Sequence, residues 1–82
     1  METLTDRRLI FEAVDRERDH QDRKYGPLRR HEIPGWLVIM EREIQEVKEA
    51  WADGDITNAV RELLQVTSVG IAALEQHGVI ER

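Results

Sequence analysis

The sequence predicts an all-α fold: a helical hairpin plus an N-terminal helix, forming a four-helix-bundle-type core by homo-oligomerisation. Three observations carry this expectation. Apolar residues recur at helical spacing along two long stretches, and nothing alternates as a strand does. Cap and turn residues stand where three helices would begin and end. The chain is 82 residues long, one domain too short to bury a large core alone, yet its last helical stretch is apolar around most of its circumference.

The first helix is predicted over approximately residues 5–25. Thr5 is the expected N-cap, with Asp6 in the first turn, where the helix dipole favours an acid. Leu9, Ile10, Phe11, Ala13 and Val14 supply its apolar part, and every residue from Asp15 to Lys24 is polar. Strong helix formers and opposite charges four apart, Glu12/Arg16 and Asp19/Arg23, carry the helix through this polar run. Gly26-Pro27 ends it. Residues 27–33 read as an irregular, mixed-charge loop that sets specificity. Within it Arg29-Arg30-His31 reads as solvated surface or as an anion-steering loop; Arg7-Arg8, in the first helix, reads as solvated surface.

The second helix is predicted over approximately residues 34–52, opening at Pro34, whose missing N–H does no harm in a first turn. Asp53-Gly54 marks a turn, Asp55 an N-cap, and Gly78 the C-cap of a third helix over approximately residues 55–77. So short a connection makes helices two and three an antiparallel hairpin. Trp36 and Trp51 are expected in the core or at a dimer contact, and Tyr25 against the hairpin. The third helix needs more cover than this chain provides, so a homodimer or homotetramer is predicted.

Chemistry enters with glutamates set into apolar surfaces. At about 100° per residue, Trp36, Ile39, Met40, Ile44, Val47, Ala50 and Trp51 form an arc with Glu43 near its middle and Glu46 at its edge. On the next helix Glu62 projects between Val66, Val69 and Ala73, followed by Gln65. Residues three apart share a helix face, so the two pairs would meet across the hairpin as an oxygen-lined pocket. A buried carboxylate without a partner is costly, which points to a cation. The competing reading is interhelical salt bridging with Lys48, Arg61 or Arg42. Glu41 and Glu49 belong to the solvated side.

Composition narrows the ligand. There are no cysteines, so disulfides and thiolate metal sites are excluded and a metal must be held by oxygen or imidazole. His20, His31 and His77 lie outside the two pairs, which leaves a hard cation, Mg²⁺ with Mn²⁺ as the alternative, and a phosphate-bearing substrate. Such a site would activate water and stabilise charge developing on phosphorus. Lys24 is placed to reach phosphate oxygens, His20 and Gln21 to line the pocket, and Trp36 to wall a base pocket. A net charge of −5 argues against duplex nucleic acid as a partner. No apolar run reaches the roughly 20 residues of a membrane span, and no signal peptide is visible, so a cytoplasmic protein is expected.

The motifs carry a family resemblance. His-Gln-Asp-Arg-Lys-Tyr-Gly at 20–26, Trp36-Leu37, Glu-Arg-Glu-Ile-Gln-Glu-Val-Lys-Glu-Ala at 41–50 and Arg-Glu-Leu-Leu-Gln-Val at 61–66 resemble small phage- or bacterium-type MazG-like nucleotide pyrophosphohydrolases. The resemblance runs from about Glu17 to Glu75. It implies an all-α dimer or tetramer that uses Mg²⁺ to hydrolyse nucleoside triphosphates to monophosphate and pyrophosphate, cleansing the nucleotide pool. By position it implies that Glu43, Glu46 and Glu62 are catalytic and bind metal and that Gln65 assists; it also favours Lys24 as a phosphate contact, beside Gln21 and Trp36, which the residues themselves assign to the substrate pocket. Two positions depart from the family pattern: Arg42 replaces the first glutamate of Glu-Glu-x-x-Glu, at a position expected to turn away from the apolar arc, and Gln65 replaces the aspartate of Glu-x-x-Asp. A neutral amide is the weaker ligand, so the alternatives are a non-catalytic nucleotide- or metal-binding module and a purely structural helical dimer.

Overall fold

Residues 4–82 are described by the structure, a computed structural model. They form three helices, α1 (Arg7–Tyr25), α2 (Ile33–Ala52) and α3 (Ile56–His77), with no strand among the described residues. The all-α expectation is met, and the polar half of α1 is continuous helix to Tyr25.

Each boundary has a local cause. Asp6, not Thr5, is the N-cap of α1: its carboxylate accepts from the Arg8 backbone N–H at 2.8 Å, and an ionised acceptor facing the positive helix end outcompetes a hydroxyl. Helix α2 lacks a side-chain cap and relies on Pro34 in its first turn. It ends in a Schellman motif. Gly54 takes φ +76 and donates to the Trp51 carbonyl, and Asp55 donates to that of Ala50, both at 3.0 Å. The Asp55 carboxylate then caps α3 through the Asn58 N–H at 3.0 Å.

That single turn reverses the chain, so α2 and α3 lie antiparallel: Trp36 meets Gln76, and Met40 packs over Gly70. Trp36 (2 % exposed), Val69 and Ala72 form the core, with Ile39, Met40 and Ala73 against it. Ser68 is wholly buried and satisfied by donating to the Leu64 carbonyl at 2.8 Å.

Helix α1 packs on α3 and is held there by polar contacts. Arg18 donates to Glu75 and Asp22, and Gln21, buried, donates to the Gln65 carbonyl at 3.2 Å while accepting from Arg18 at 3.1 Å. The i,i+4 ion pair in α1 is therefore Arg18–Asp22 at 2.8 Å, where the sequence suggested Glu12/Arg16 and Asp19/Arg23; Arg18 wins because Glu75 orders it from a second helix. The 26–32 loop is fixed by Gln76, whose Oε1 accepts from the His31 N–H and the Trp36 indole, both at 3.0 Å, while its Nε2 donates to the His31 carbonyl at 2.8 Å. Among the described residues no helix is long and apolar enough to cross a membrane.

Candidate metal centre

The antiparallel register of α2 and α3 decides where the acidic side chains meet. Glu43 and Glu46, one turn apart on α2, face Glu62 on α3, and each offers a carboxylate oxygen within 4.8 Å of the other two. Glu43 and Glu62 are half-buried and Glu46 is exposed, so the cluster is closed on the hairpin side and open on one side. One oxygen each of Glu43 and Glu62 is fully enclosed and has no hydrogen-bond partner.

Like charges crowded beside apolar packing are held in a strained ionisation state. Burial, then the adjacent Glu46 carboxylate and Glu62, raise the Glu43 carboxyl above its ordinary value. Burial and Glu46 do the same to Glu62. The interhelical salt bridges that would relieve them are absent among the described residues: Arg42, Lys48 and Arg61 pair with none of these glutamates. What the cluster lacks is a positive charge at its centre, which a hard divalent ion would supply.

The cluster borders a cleft of about 620 Å³ between α1 and the hairpin, within the range of about 300–1,000 Å³ usual for small-molecule sites. Glu43, Gln65, Lys24 and Gln21 all line it, so the structure brings together these residues singled out from sequence. The Lys24 ammonium is raised by the Tyr25 hydroxyl beside it and by attraction to Glu43 and Glu17. Gln21 reaches the cleft wall, but its carboxamide is already engaged on both sides by Arg18 and the Gln65 carbonyl. Trp36 lies in the core and touches the site through His31, whose ring meets the indole edge-on at 4.8 Å.

The same cleft contains residues that sequence reasoning placed elsewhere. Arg42, expected to turn away, lines it, as does Arg61. The signal was present in the order of residues, since each arginine immediately precedes a cluster glutamate. Arg29 and His31 line it too, and so does His20, which the sequence assigns to the pocket. Arg29 stacks over the Tyr25 ring at 4.5 Å and the Trp36 ring at 5.2 Å, a placement that follows from the loop's attachment to Gln76.

Fold and site together define a three-helix protein with an oxygen-donor cluster at the edge of a cation-lined cleft. Set against known proteins, the chain matches no family model, and no curated protein or solved structure aligns with it significantly. The likeness to nucleotide pyrophosphohydrolases is therefore carried by the motif residues alone.

Proposed function

We propose that the chain is a Mg²⁺-dependent nucleoside triphosphate pyrophosphohydrolase, converting a (deoxy)nucleoside triphosphate and water to the monophosphate and pyrophosphate, with cleansing of the nucleotide pool as its role. The observation that carries this reading is the convergence of Glu43, Glu46 and Glu62, without a cationic partner, beside a cleft lined by Lys24, Arg42 and Arg61.

The donor set fits the ion. Three carboxylates, two with an enclosed and unpartnered oxygen, are hard ligands suited to Mg²⁺ or Mn²⁺, and Gln65 adds a neutral oxygen from the cleft wall. When bound, the ion supplies Lewis acidity toward phosphoryl oxygens and eases deprotonation of water. The chain's own groups do the rest. Lys24 holds phosphate oxygens, Gln21 braces α1 against α3, and Trp36 backs the His31 side of the cleft. Glu46, the exposed member, accepts a proton from attacking water in this reading.

A panel of nucleotides assayed for pyrophosphate release tests this. The wild-type chain should act on at least one nucleotide with Mg²⁺, and Glu46→Gln should lose about 100-fold or more. No release from any nucleotide at saturating Mg²⁺ refutes catalysis. Gln65, neutral where the resembling enzymes carry aspartate, supports a second reading, a module that binds nucleotide without turnover; calorimetry showing tight binding with no hydrolysis would establish it. The assembly proposed alongside is a homodimer or homotetramer, supported by the apolar faces this chain leaves exposed, among them Phe11, Val60, Leu63 and Trp51.

A further inference from the structure

We propose that Arg42 and Arg61 form a phosphate clamp that stands in for a second metal ion, so that the cleft binds a polyphosphate with one divalent ion per chain. This rests on the metal centre of the proposed function and specifies its charge balance. Arg42 precedes Glu43 and Arg61 precedes Glu62. Neighbours on a helix point about 100° apart, so each glutamate turns into the cluster while its arginine borders the cleft. Both arginines are exposed and form no salt bridge with any described carboxylate, although Glu41 and Glu43 flank Arg42 and Glu62 follows Arg61. Arg29 is different, being stacked on Tyr25 and Trp36.

The ligand count points the same way. Two catalytic ions sit about 3.5–4 Å apart and need bridging and flanking acids. Here the described residues contain one acidic cluster, with its donor atoms within 4.8 Å of one another; of the cleft's other side-chain oxygen donors, Glu17 stands outside that cluster and Gln65 is neutral. A planar guanidinium matches phosphate oxygens in pairs and keeps its charge at every working pH. Two of them therefore supply the positive charge a second ion would bring.

Inorganic tripolyphosphate and Mn²⁺ are the probes, used with the intact chain in calorimetry and in spin-resonance counting of bound Mn²⁺. One Mn²⁺ per chain is expected, both alone and with tripolyphosphate. Arg42→Gln and Arg61→Gln should each weaken tripolyphosphate about ten-fold, leave Mn²⁺ binding in its absence unchanged or tighter, and keep the wild-type helical circular dichroism. Two Mn²⁺ per chain, tripolyphosphate binding indifferent to both substitutions, or no tripolyphosphate binding at all would overturn the proposal. If the arginines govern tripolyphosphate binding but no nucleotide is hydrolysed, the hydrolase reading falls and the clamp stands. Nucleotide hydrolysis together with indifferent arginines gives the opposite result.

Discussion

At Glu43 and Glu62 the folded chain favours the protonated carboxyl, because burial and the Glu46 charge oppose ionisation. A carboxyl whose folded pKa is raised binds its proton more tightly in the native state. Its favourable contribution is complete below the ordinary value of 4.5 and is lost as pH rises through the raised folded value. Above that value the cluster is a repulsive load on the hairpin. A divalent ion that binds the native chain alone lifts the load, adding about 2.7 kcal/mol when present at 100 times its Kd. The melting temperature should therefore rise with Mg²⁺ at pH 7.5 and respond less at pH 4.5, where Glu43 and Glu62 hold their protons more tightly than free carboxyls do; an equal response at both would place the ion elsewhere. Glu62→Gln removes one of the crowded charges. Without metal this variant should melt higher, by about 4–8 °C if it gains about 1 kcal/mol, while losing the Mg²⁺ response. A lower melting temperature together with a retained Mg²⁺ response would contradict the cluster as a site of electrostatic strain.

The helices themselves show which features reach the sequence and which do not. Caps and periodicity were legible because they are local: Asp55, Gly54, Gly26 and Gly78 each act within a few residues, and the glutamates share a face by spacing alone. The exchange of Thr5 for Asp6 as N-cap is a competition between neighbours that spacing leaves undecided. Contacts across the chain were not legible. Nothing near Gln76 in sequence says that its carboxamide binds His31 and the Trp36 indole, 45 and 40 residues away, yet this places Arg29 and His31 on the cleft. Arg42 was misplaced because a helical wheel drawn against the apolar arc ignores α1, which turns part of the polar side of α2 into a cleft wall. Gln76→Leu keeps the volume but leaves the His31 N–H and the Trp36 N–H without partners and the His31 carbonyl with the His77 ring alone. Urea unfolding should show a loss of about 2–3 kcal/mol, with the intrinsic fluorescence of Trp36 shifted in the native baseline. A loss below about 0.5 kcal/mol would mean that water replaces the amide at no cost.

The molecule as a whole is more open than its size requires. Its accessible surface is 6862 Å² for 9.6 kDa, where a compact monomer of that mass exposes about 5,100 Å². Its radius of gyration is 13.8 Å, where about 12 Å is usual for this length. Helix α3, the central element, covers one face with α2 and another with α1, and leaves Val60, Leu63 and Leu74 half-exposed; Leu9, Ile10 and Phe11 on α1 and Trp51 at the end of α2 are also open. Leu9, Ile10, Val60 and Leu63 border one apolar groove between α1 and α3. An apolar groove flanked by further exposed apolar side chains suits an interface, and the proposed second copy would complete the bundle that the single chain begins. Leu63→Glu puts a charge into that groove. Sedimentation at micromolar concentration should find the wild-type chain as a dimer or tetramer and the variant as a monomer. Because the hairpin core of Trp36, Val69 and Ala72 lies within one chain, the variant should stay helical but melt lower, and its melting temperature should cease to depend on protein concentration. A wild-type chain that sediments as a monomer throughout would leave these apolar faces to a different partner.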